Sequence, residues 1–259
     1  MASLNELIFE IKRKKELSQI EESVVLAILE KQLTKRNISP TNLNSKQKKE
    51  LVKKIRGELR LLTGRFEKKA SNLRKEYKKL SENKEWNKIL TSHSSTKERI
   101  EADGYKIIKK IISKYKISSI LDLGCGVNPL AIAKRDIYYT AIDINNSELE
   151  IVKSFFRVNK IKGNIYAQDI RHTENFPSVD LCFLLKLLDV IEAKGHKLAE
   201  KIIKSLNCKY ILISFSTKTL SGKSMNHPQR GWIERLLTRL NIPYKLFKTP
   251  NEIFYFASR

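Results

Sequence analysis

Cysteine is scarce in this chain of 259 residues, and its three copies lie far apart, at Cys125, Cys182 and Cys208. Without a Cys-x-x-Cys spacing, a disulfide framework or a zinc site is not indicated, and we expect no bound metal. No run of about 18 apolar residues occurs, so a transmembrane helix is not expected. The N-terminal segment also lacks the apolar region of a signal peptide. We therefore expect a cytoplasmic protein that does not enter a membrane.

Acidic residues are also few relative to basic ones. The chain has 51 Lys and Arg residues against 28 Asp and Glu residues, a formal net charge of +23. The excess is densest between Lys31 and Leu90. This balance suits a polyanion such as RNA, because lysine and arginine side chains neutralise phosphates and release counterions. A lysine-rich solvated surface is the alternative interpretation, and the charge alone leaves both open.

The first part of the chain lacks glycine before Gly57 and shows no convincing strand pattern. Apolar residues recur there at helical spacing, for example at Leu4, Leu7, Ile8 and Ile11. We predict an all-helical, basic domain over residues 1–90. Its positive charges persist across consecutive helices, which favours a role in docking on RNA. The basic residues expected to contact RNA are Lys53, Lys54 and Arg56.

The rest of the chain alternates strand and helix patterns, which is typical of a parallel α/β sheet. The predicted strands span residues 120–123, 136–143, 164–168, 179–185 and 210–215, and residues 244–248 and 253–257 form a closing hairpin. A helix is predicted over 190–206. We therefore predict a second domain over residues 91–259. Its Rossmann-like sheet has seven strands, mostly parallel, with a C-terminal antiparallel hairpin.

The stretch from Ser119 to Ile132 organises this second domain. It predicts a buried strand, a turn with Gly124 and Gly126, and a helix that begins near Pro129. A nicotinamide fingerprint needs a third glycine, which this stretch lacks. The Asp-x-Gly-x-Gly turn instead resembles the first motif of methyltransferases that use S-adenosyl-L-methionine. A strand, turn and helix without any ligand would look similar.

Ligands of open α/β sheets bind at the carboxyl ends of the strands. Gly124 and Gly126 would bring the backbone close to the amino-acid part of the cofactor. Asp143 could accept both ribose hydroxyls, because a carboxylate has two acceptor oxygens. Gln168–Asp169 could read the adenine, and Leu184–Leu185 could line an apolar slot beneath it. Because all these residues follow residue 90, we expect deletion of residues 1–90 to leave cofactor binding largely intact.

A further motif, His93 to Arg99, precedes the first strand. Ser95 and Glu98 have the spacing of a capping box, which predicts the start of a helix. Arg99 would then lie near the cofactor carboxylate, where its guanidinium could pair bidentately. His93 is interpreted as a core or linker histidine, because nothing in the sequence makes it a base.

Several motifs in order closely resemble those of the aminoglycoside-resistance 16S ribosomal RNA methyltransferases of the Arm/Rmt/Sgm/Kgm type. They are His93–Arg99, Ile120–Ala131, Phe183–Leu188, Ile213–Phe215 with Leu220–Lys223, and Trp232–Glu234. Those enzymes methylate N7 of a guanine in the decoding site of the small ribosomal subunit.

The resemblance implies a site and a partner. The residues implied to hold S-adenosyl-L-methionine are Arg99, Gly124, Gly126, Asp143, Gln168 and Asp169, with Leu185 and Lys186 on the floor and rim of the pocket. Lys218, Ser221 and Lys223 would lie in a loop that faces the target. The helical domain would dock on 16S rRNA in the 30S subunit. We expect the protein to be a monomer.

Guanine N7 already carries an available lone pair, so its methylation needs positioning more than a general base. No catalytic acid or base is therefore assigned. Two alternatives stay open: methylation of another rRNA nucleotide, and a catalytically silent ribosome-binding protein with the same fold.

Overall fold

The computed structural model describes residues 4–63, 79–192, 195–219, 222–226 and 228–259. The helices are α1 (Leu4–Lys12), α2 (Glu22–Arg36), α3 (Ser45–Thr63), α4 (Trp86–Ser92), α5 (Ser94–Glu101), α6 (Gly104–Lys114), α7 (Pro129–Ile132), α8 (Asn146–Asn159), α9 (Leu188–Ile191), α10 (Lys197–Ser205) and α11 (Gly231–Arg239). The strands are β1 (Ser119–Leu123), β2 (Tyr138–Asp143), β3 (Gly163–Ala167), β4 (Val179–Leu185), β5 (Cys208–Ser216), β6 (Tyr244–Lys248) and β7 (Glu252–Ser258). Over the described ranges, no helix has the length and apolar character needed to cross a membrane.

Helices α1, α2 and α3 pack around a hydrophobic core of their own. On α3, Leu51, Ile55 and Leu59 recur every four residues and are fully buried, so one stripe of the helix faces this core. Lys53 and Lys54 lie on the exposed part of the same helix. The helical prediction is confirmed for the described part of this region.

The boundary between the two predicted domains stays a prediction, but the cores add a detail to it. The helical core contains side chains from Leu7 to Leu59, with Leu62 packed against it. Leu80, Ile89 and Leu90 belong instead to a core of the α/β part. Residues 79–90 are therefore joined to the α/β domain by their packing, although they precede the expected boundary.

The seven strands form one sheet in the order β3-β2-β1-β4-β5-β7-β6, and β7 is antiparallel to both of its neighbours. The predicted mostly parallel sheet with a C-terminal antiparallel hairpin is confirmed. Along β4, Leu181 and Phe183 belong to one hydrophobic core, and Cys182 and Leu184 to another. Successive side chains of a strand point to opposite faces. Because both faces are covered, residues 181–185 form a continuous apolar run, whereas Asp180 near the start of the strand binds Ser118 and Lys209.

Strand order reverses next to β1. The chain leaves β1 for β2 on one side and later places β4 on the other side. Such a switch point opens a crevice at the carboxyl ends of the strands, which is where open α/β sheets bind ligands. The fold therefore directs attention to the loops after β1, β2 and β4.

Two local predictions are wrong. The capping box does not form: α5 begins after His93, no side chain caps it, and Glu98 binds Lys186 instead. The helix predicted over 190–206 is divided into α9 and α10. Helix α9 ends because Glu192 is extended (φ −84°, ψ 125°), and His196, with φ +57°, lies outside helical backbone just before α10 begins.

Candidate functional site

A cleft with both polar and apolar lining residues lies at the switch point of the sheet. Such a position is usual for small-molecule sites in α/β sheets. Eight of the nine residues indicated for a cofactor line this cleft: Arg99, Gly124, Gly126, Asp143, Gln168, Asp169, Leu185 and Lys186. The ninth, Leu184, is instead fully buried in a hydrophobic core. The structure thus brings the expected residues together, and their role toward a ligand stays a prediction.

The turn after β1 must be made of glycine at two positions. Gly124 and Gly126 have φ values of +65° and +49°, which L side chains rarely adopt. A Cβ atom at Gly124 would lie 2.6 Å from Leu187 Cδ1, and one at Gly126 would lie 3.1 Å from Glu148 Oε2. Any side chain here would therefore displace the cleft walls, whereas glycine leaves the backbone accessible to a ligand.

Asp143 ends β2 and is held by three backbone amides. Its Oδ1 accepts from the N–H groups of Ile144 (2.7 Å) and Asn145 (2.9 Å), and its Oδ2 accepts from Gly126 N–H (2.9 Å). A carboxylate has about four acceptor positions. Three of these positions are used, so about one remains. Asp143 is therefore expected to accept a hydrogen bond from one ribose hydroxyl rather than from both. Burial and the nearby Glu148 charge raise the pKa of Asp143 to about 6.

Gln168 and Asp169 differ in what they offer to a ligand. Arg171 donates to both oxygens of Asp169, at 2.9 Å from Nε to Oδ1 and 2.6 Å from Nη2 to Oδ2. Burial acts to raise the pKa of Asp169, but the bonds from Arg171 outweigh it and hold that pKa below its ordinary value. Gln168 Nε2 donates to Thr173 Oγ1 at 2.9 Å, which orients its amide oxygen as an acceptor. Gln168 is thus the better candidate to meet an exocyclic amine, and Asp169 mainly orients Arg171.

The bidentate pairing expected for Arg99 is taken by a protein carboxylate. Arg99 Nε donates to Glu252 Oε2 (3.0 Å) and Nη2 donates to Glu252 Oε1 (2.8 Å). The Arg99 side chain is 2% exposed and that of Glu252 is 1% exposed. Glu252 therefore occupies the Nε/Nη2 edge of the guanidinium, and pairing of Arg99 with a cofactor carboxylate stays a prediction. Glu252 also accepts from Ser214 Oγ.

Asn128 is the centre of a buried polar network beneath the cleft. Its Oδ1 accepts from Arg99 Nη1 (3.1 Å) and from Tyr105 Oη (2.9 Å), while its Nδ2 donates to Asp122 Oδ2 (2.9 Å). Tyr139 Oη donates to the same Asp122 oxygen at 2.6 Å. Burial raises the pKa of Asp122 to about 6. Asn128 thus links the glycine turn to Arg99, a role that sequence reasoning missed.

Lys186 lies at the floor of the cleft and is 6% exposed. Its Nζ binds Glu98 Oε2 at 2.6 Å, and its backbone N–H donates to the Ser214 carbonyl at 3.0 Å. A φ of +55° places its side chain in an uncommon backbone conformation for a non-glycine residue. The position agrees with the floor and rim location that the family resemblance implied.

His93 lines the cleft and is not a linker residue. Its Nε2 lies 3.4 Å from Glu148 Oε1, and its Nδ1 lies 3.1 Å from Ser95 Oγ. The side chain is buried, as is Glu148 at the start of α8. The pair joins the beginning of α5 to the beginning of α8 across the glycine turn. Only the position of His93 before the predicted helix pointed to it in the sequence.

The residues expected to contact RNA fall into two groups. After β5, Lys218 pairs with Ser224 across a small hairpin, where Thr219 N–H donates to the Lys223 carbonyl at 2.8 Å. This hairpin follows the carboxyl end of β5, at the same edge of the sheet as the cleft. Ser221 lies outside the described residues.

On α3, Lys53 and Lys54 are exposed as an RNA contact requires, but Arg56 is not. Arg56 is half-buried, and its guanidinium donates to the carbonyl oxygens of Glu10 and Ile11. These are among the last carbonyls of α1, which lack partners within that helix. The expectation that Arg56 contacts RNA is therefore corrected: it fastens α3 to the end of α1.

Within the described ranges, no group of three or more His, Cys, Asp or Glu side chains is arranged to hold a metal ion.

Comparison with known proteins identifies the family. Residues 79–241, more than half of the chain, match the family described as ribosomal RNA methyltransferase (FmrO). The chain belongs to this family. The matched part contains all of the described residues that line the cleft except Leu62. Helices α1 to α3 lie outside it.

One curated relative is the 16S rRNA (guanine(1405)-N(7))-methyltransferase of Serratia marcescens. It is 31% identical over 150 residues, which are 57% of this chain and 59% of that protein. The chain thus spans about three fifths of the length of this relative.

Two solved structures share the fold over nearly their whole length. The 16S rRNA methylase RmtB has a TM-score of 0.79 at 22% identity and covers 100% of this chain and 99% of its own. RmtF, solved in complex with S-adenosyl-L-homocysteine, has a TM-score of 0.80 at 20% identity, with 98% and 97% covered. The predicted Rossmann-like methyltransferase fold, preceded by helices, is confirmed.

Proposed function

We propose that this protein transfers the methyl group of S-adenosyl-L-methionine to N7 of a guanine in 16S rRNA, within the 30S subunit. The reaction would be of the type that confers aminoglycoside resistance. The observation that carries the proposal is the glycine-walled cleft at the switch point of a chain that belongs to a ribosomal RNA methyltransferase family. The named activity of the Serratia relative supports the choice of guanine N7.

The cleft offers each part of the cofactor a suitable surface. The backbone at Gly124 and Gly126 is open to the amino-acid part, and Asp143 keeps an acceptor position for a ribose hydroxyl. Gln168 can accept from the adenine amine. Leu185 and Ile170 supply apolar walls for the purine ring. Arg99 has five N–H groups, of which three are used, so it can still donate to a carboxylate from Nη1 and Nη2.

The chemistry asks the protein mainly for positioning. When bound, S-adenosyl-L-methionine supplies a methyl carbon activated by its sulfonium. The N7 lone pair of guanine forms the new C–N bond as the C–S bond breaks, and no proton leaves N7. A general base is therefore not required, and the rate depends on in-line placement of N7 against the methyl group. In folded RNA the guanine must leave its stack to reach the cleft.

The substrate would be gripped at two places. Lys53 and Lys54 present cations on the outer face of α3, and the hairpin with Lys218 and Lys223 carries two more at the cleft edge. Such contacts to phosphates fix the register of an RNA without reading its sequence. We further propose that the enzyme works as a monomer in the cytoplasm.

Transfer from S-adenosyl-L-methionine carrying a tritiated methyl group to purified, unmodified 30S subunits tests the proposal. We expect label in 16S rRNA, and strand cleavage at a decoding-site guanine after reduction and aniline treatment. Cleavage elsewhere would show that another nucleotide is the target. Tight binding to subunits and cofactor without any transfer would show a silent ribosome-binding protein.

Calorimetry tests the cofactor separately. S-adenosyl-L-homocysteine should bind and NAD should not, because the turn lacks the third glycine of the nicotinamide fingerprint. Tighter binding of NAD would contradict the assignment of the cleft.

A further inference from the structure

The helical domain is joined by backbone hydrogen bonds to the loop that follows Asp143. Residues Gln19–Glu21, here called the strap, run antiparallel to residues 144–146, with a bridge between Ile20 and Asn145. Glu21 N–H donates to the Ile144 carbonyl at 2.9 Å, and Asn146 N–H donates to the Gln19 carbonyl at 2.9 Å. Asn146 Nδ2 also donates to Glu21 Oε2 at 3.0 Å.

Apolar packing holds both sides of this contact in the helical domain. Ile20 is 2% exposed and belongs to the helical core. Ile144 comes from the loop after β2, yet its side chain packs against that same core. From α3, Leu62 reaches the cleft itself and lines it. The loop after β2 is therefore built on the helical domain as much as on the sheet.

The same loop determines where the Asp143 carboxylate points. The N–H groups of Ile144 and Asn145 both donate to Asp143 Oδ1. Ile144 thus donates its N–H to Asp143 and accepts the Glu21 N–H with its carbonyl oxygen. A movement of the strap would rotate these peptide groups and displace the carboxylate.

We propose that the strap is a positioning element of the cofactor site, and that through it RNA docking and cofactor binding strengthen each other. The inference rests on the proposed function, which supplies both ligands. An RNA that holds the helical domain restricts the strap and hence the Asp143 loop. The cofactor then binds a loop that has already lost its freedom, which favours the second binding event. Coupling of this kind is reciprocal: each ligand raises the affinity of the other by the same factor.

One substitution can remove the central hydrogen bond without changing the backbone path. Glu21 has φ −54° and ψ 134°, a conformation that proline adopts, and it precedes the first residue of α2. Glu21→Pro therefore deletes the N–H that binds Ile144 and keeps the local geometry. Glu21→Ala removes only the side-chain bond to Asn146, so the difference between the two variants isolates the backbone bond. Glu30→Gln, at an exposed site on the same helix, is the control for charge.

We expect Glu21→Pro to weaken binding of S-adenosyl-L-homocysteine about threefold to tenfold relative to Glu21→Ala, the range for one lost hydrogen bond. Glu30→Gln should bind as the parent does. Unfolding temperatures measured in parallel should be alike for the Pro and Ala variants, which separates positioning from loss of fold. In the parent enzyme, 30S subunits should raise the affinity for S-adenosyl-L-homocysteine, and the factor should shrink in Glu21→Pro.

The outcomes are distinguishable. If the parent binds no S-adenosyl-L-homocysteine, the proposed function fails. If the parent binds it and Glu21→Pro binds within twofold of Glu21→Ala, the strap does not position the site. An identical affinity of the parent enzyme in the free and the 30S-bound states would overturn the coupling, whether or not Glu21→Pro folds.

Discussion

Several charged side chains of the helical domain are exposed, whereas the charged pair beneath the cleft is buried. In the helical domain, Lys53 and Lys54 are exposed, and the pair of Arg60 with Glu16 has side chains 47% and 38% exposed. Beneath the cleft, Arg99 and Glu252 are 2% and 1% exposed. Exposed charges act on a partner through their summed field and tolerate movement. Each buried charge depends on one partner in one geometry, so the two regions should respond very differently to substitution.

The largest effect is expected from the buried ion pair. Glu252→Ala leaves the Arg99 charge buried without its partner, which should lower the free energy of unfolding by about 3–5 kcal/mol. Arg99→Ala leaves the Glu252 charge without its partner and should lower the free energy of unfolding similarly. Its effect is therefore expected on stability as well as on cofactor contacts. Urea-induced unfolding measures this.

The matched control for that pair is Arg239→Ala. Arg239 pairs with Glu200 at 2.5 Å but is 64% exposed, so its loss should have little effect on the free energy of unfolding. Similar destabilisation by Arg239→Ala and Glu252→Ala would remove the distinction between the two regions.

The pH dependence of stability should reveal Asp122. Burial raises its pKa from 3.8 to about 6, so the folded state binds this proton more tightly than the unfolded state. The contribution is therefore most favourable below pH 4 and is lost as the pH rises through 6. Asp122→Asn keeps an acceptor for Tyr139 and Asn128 without the charge. Relative to the parent, this variant should gain roughly 2–3 kcal/mol between pH 4 and 7. If the difference in the free energy of unfolding between the parent and Asp122→Asn does not change with pH, Asp122 is not a buried charge with a raised pKa.

Cofactor affinity should depend on Asp143 more than on any exposed acid. Asp143→Ala removes the acceptor for a ribose hydroxyl and frees three backbone N–H groups, so binding of S-adenosyl-L-homocysteine should weaken by about 1–3 kcal/mol. Asp136→Ala, at an exposed position in the loop before β2, should have no effect. Calorimetry on both variants decides this, and equal affinities would place the cofactor elsewhere.

The smallest expected effect comes from the exposed charges of α3. Lys53→Glu with Lys54→Glu should raise the apparent KM for 30S subunits more than it lowers kcat, because such contacts only position RNA. The slope of the logarithm of the binding constant against the logarithm of the salt concentration should become shallower by about one to two.

Lys109→Glu with Lys110→Glu, two exposed sites on α6, provides the control with the same change of charge. If both double variants lose affinity equally, the positive charge of the whole protein, and not the α3 face, attracts the RNA.

Much of the sheet and of the site could be predicted because both follow from residue patterns within short segments of the sequence. An apolar run bounded by turn residues marks each strand, and the carboxyl ends of parallel strands share one edge. This is why the sequence places Gly124, Asp143, Gln168 and Leu185 at one edge of the sheet, where all four line the cleft.

Partners from distant segments could not be predicted. Glu252 lies 153 residues from Arg99, and a single acid at the start of a strand has no pattern that marks it as a buried partner. Asn128 was visible only as a departure from the nicotinamide fingerprint. The sequence also did not show that the helical domain contacts the cleft, where Leu62 lines it and Glu21 binds the loop after Asp143. That cofactor binding stays largely intact without residues 1–90 remains a prediction.

The position of β7 has a consequence for how the protein is made. This strand follows every other strand of the sheet in sequence, yet it lies between β5 and β6 and begins with Glu252. A ribosome translates the chain from its N-terminus. Until β7 emerges, β5 has an open edge and Arg99 lacks its buried partner. The nascent polypeptide therefore cannot complete the floor of its cleft until this strand has been translated.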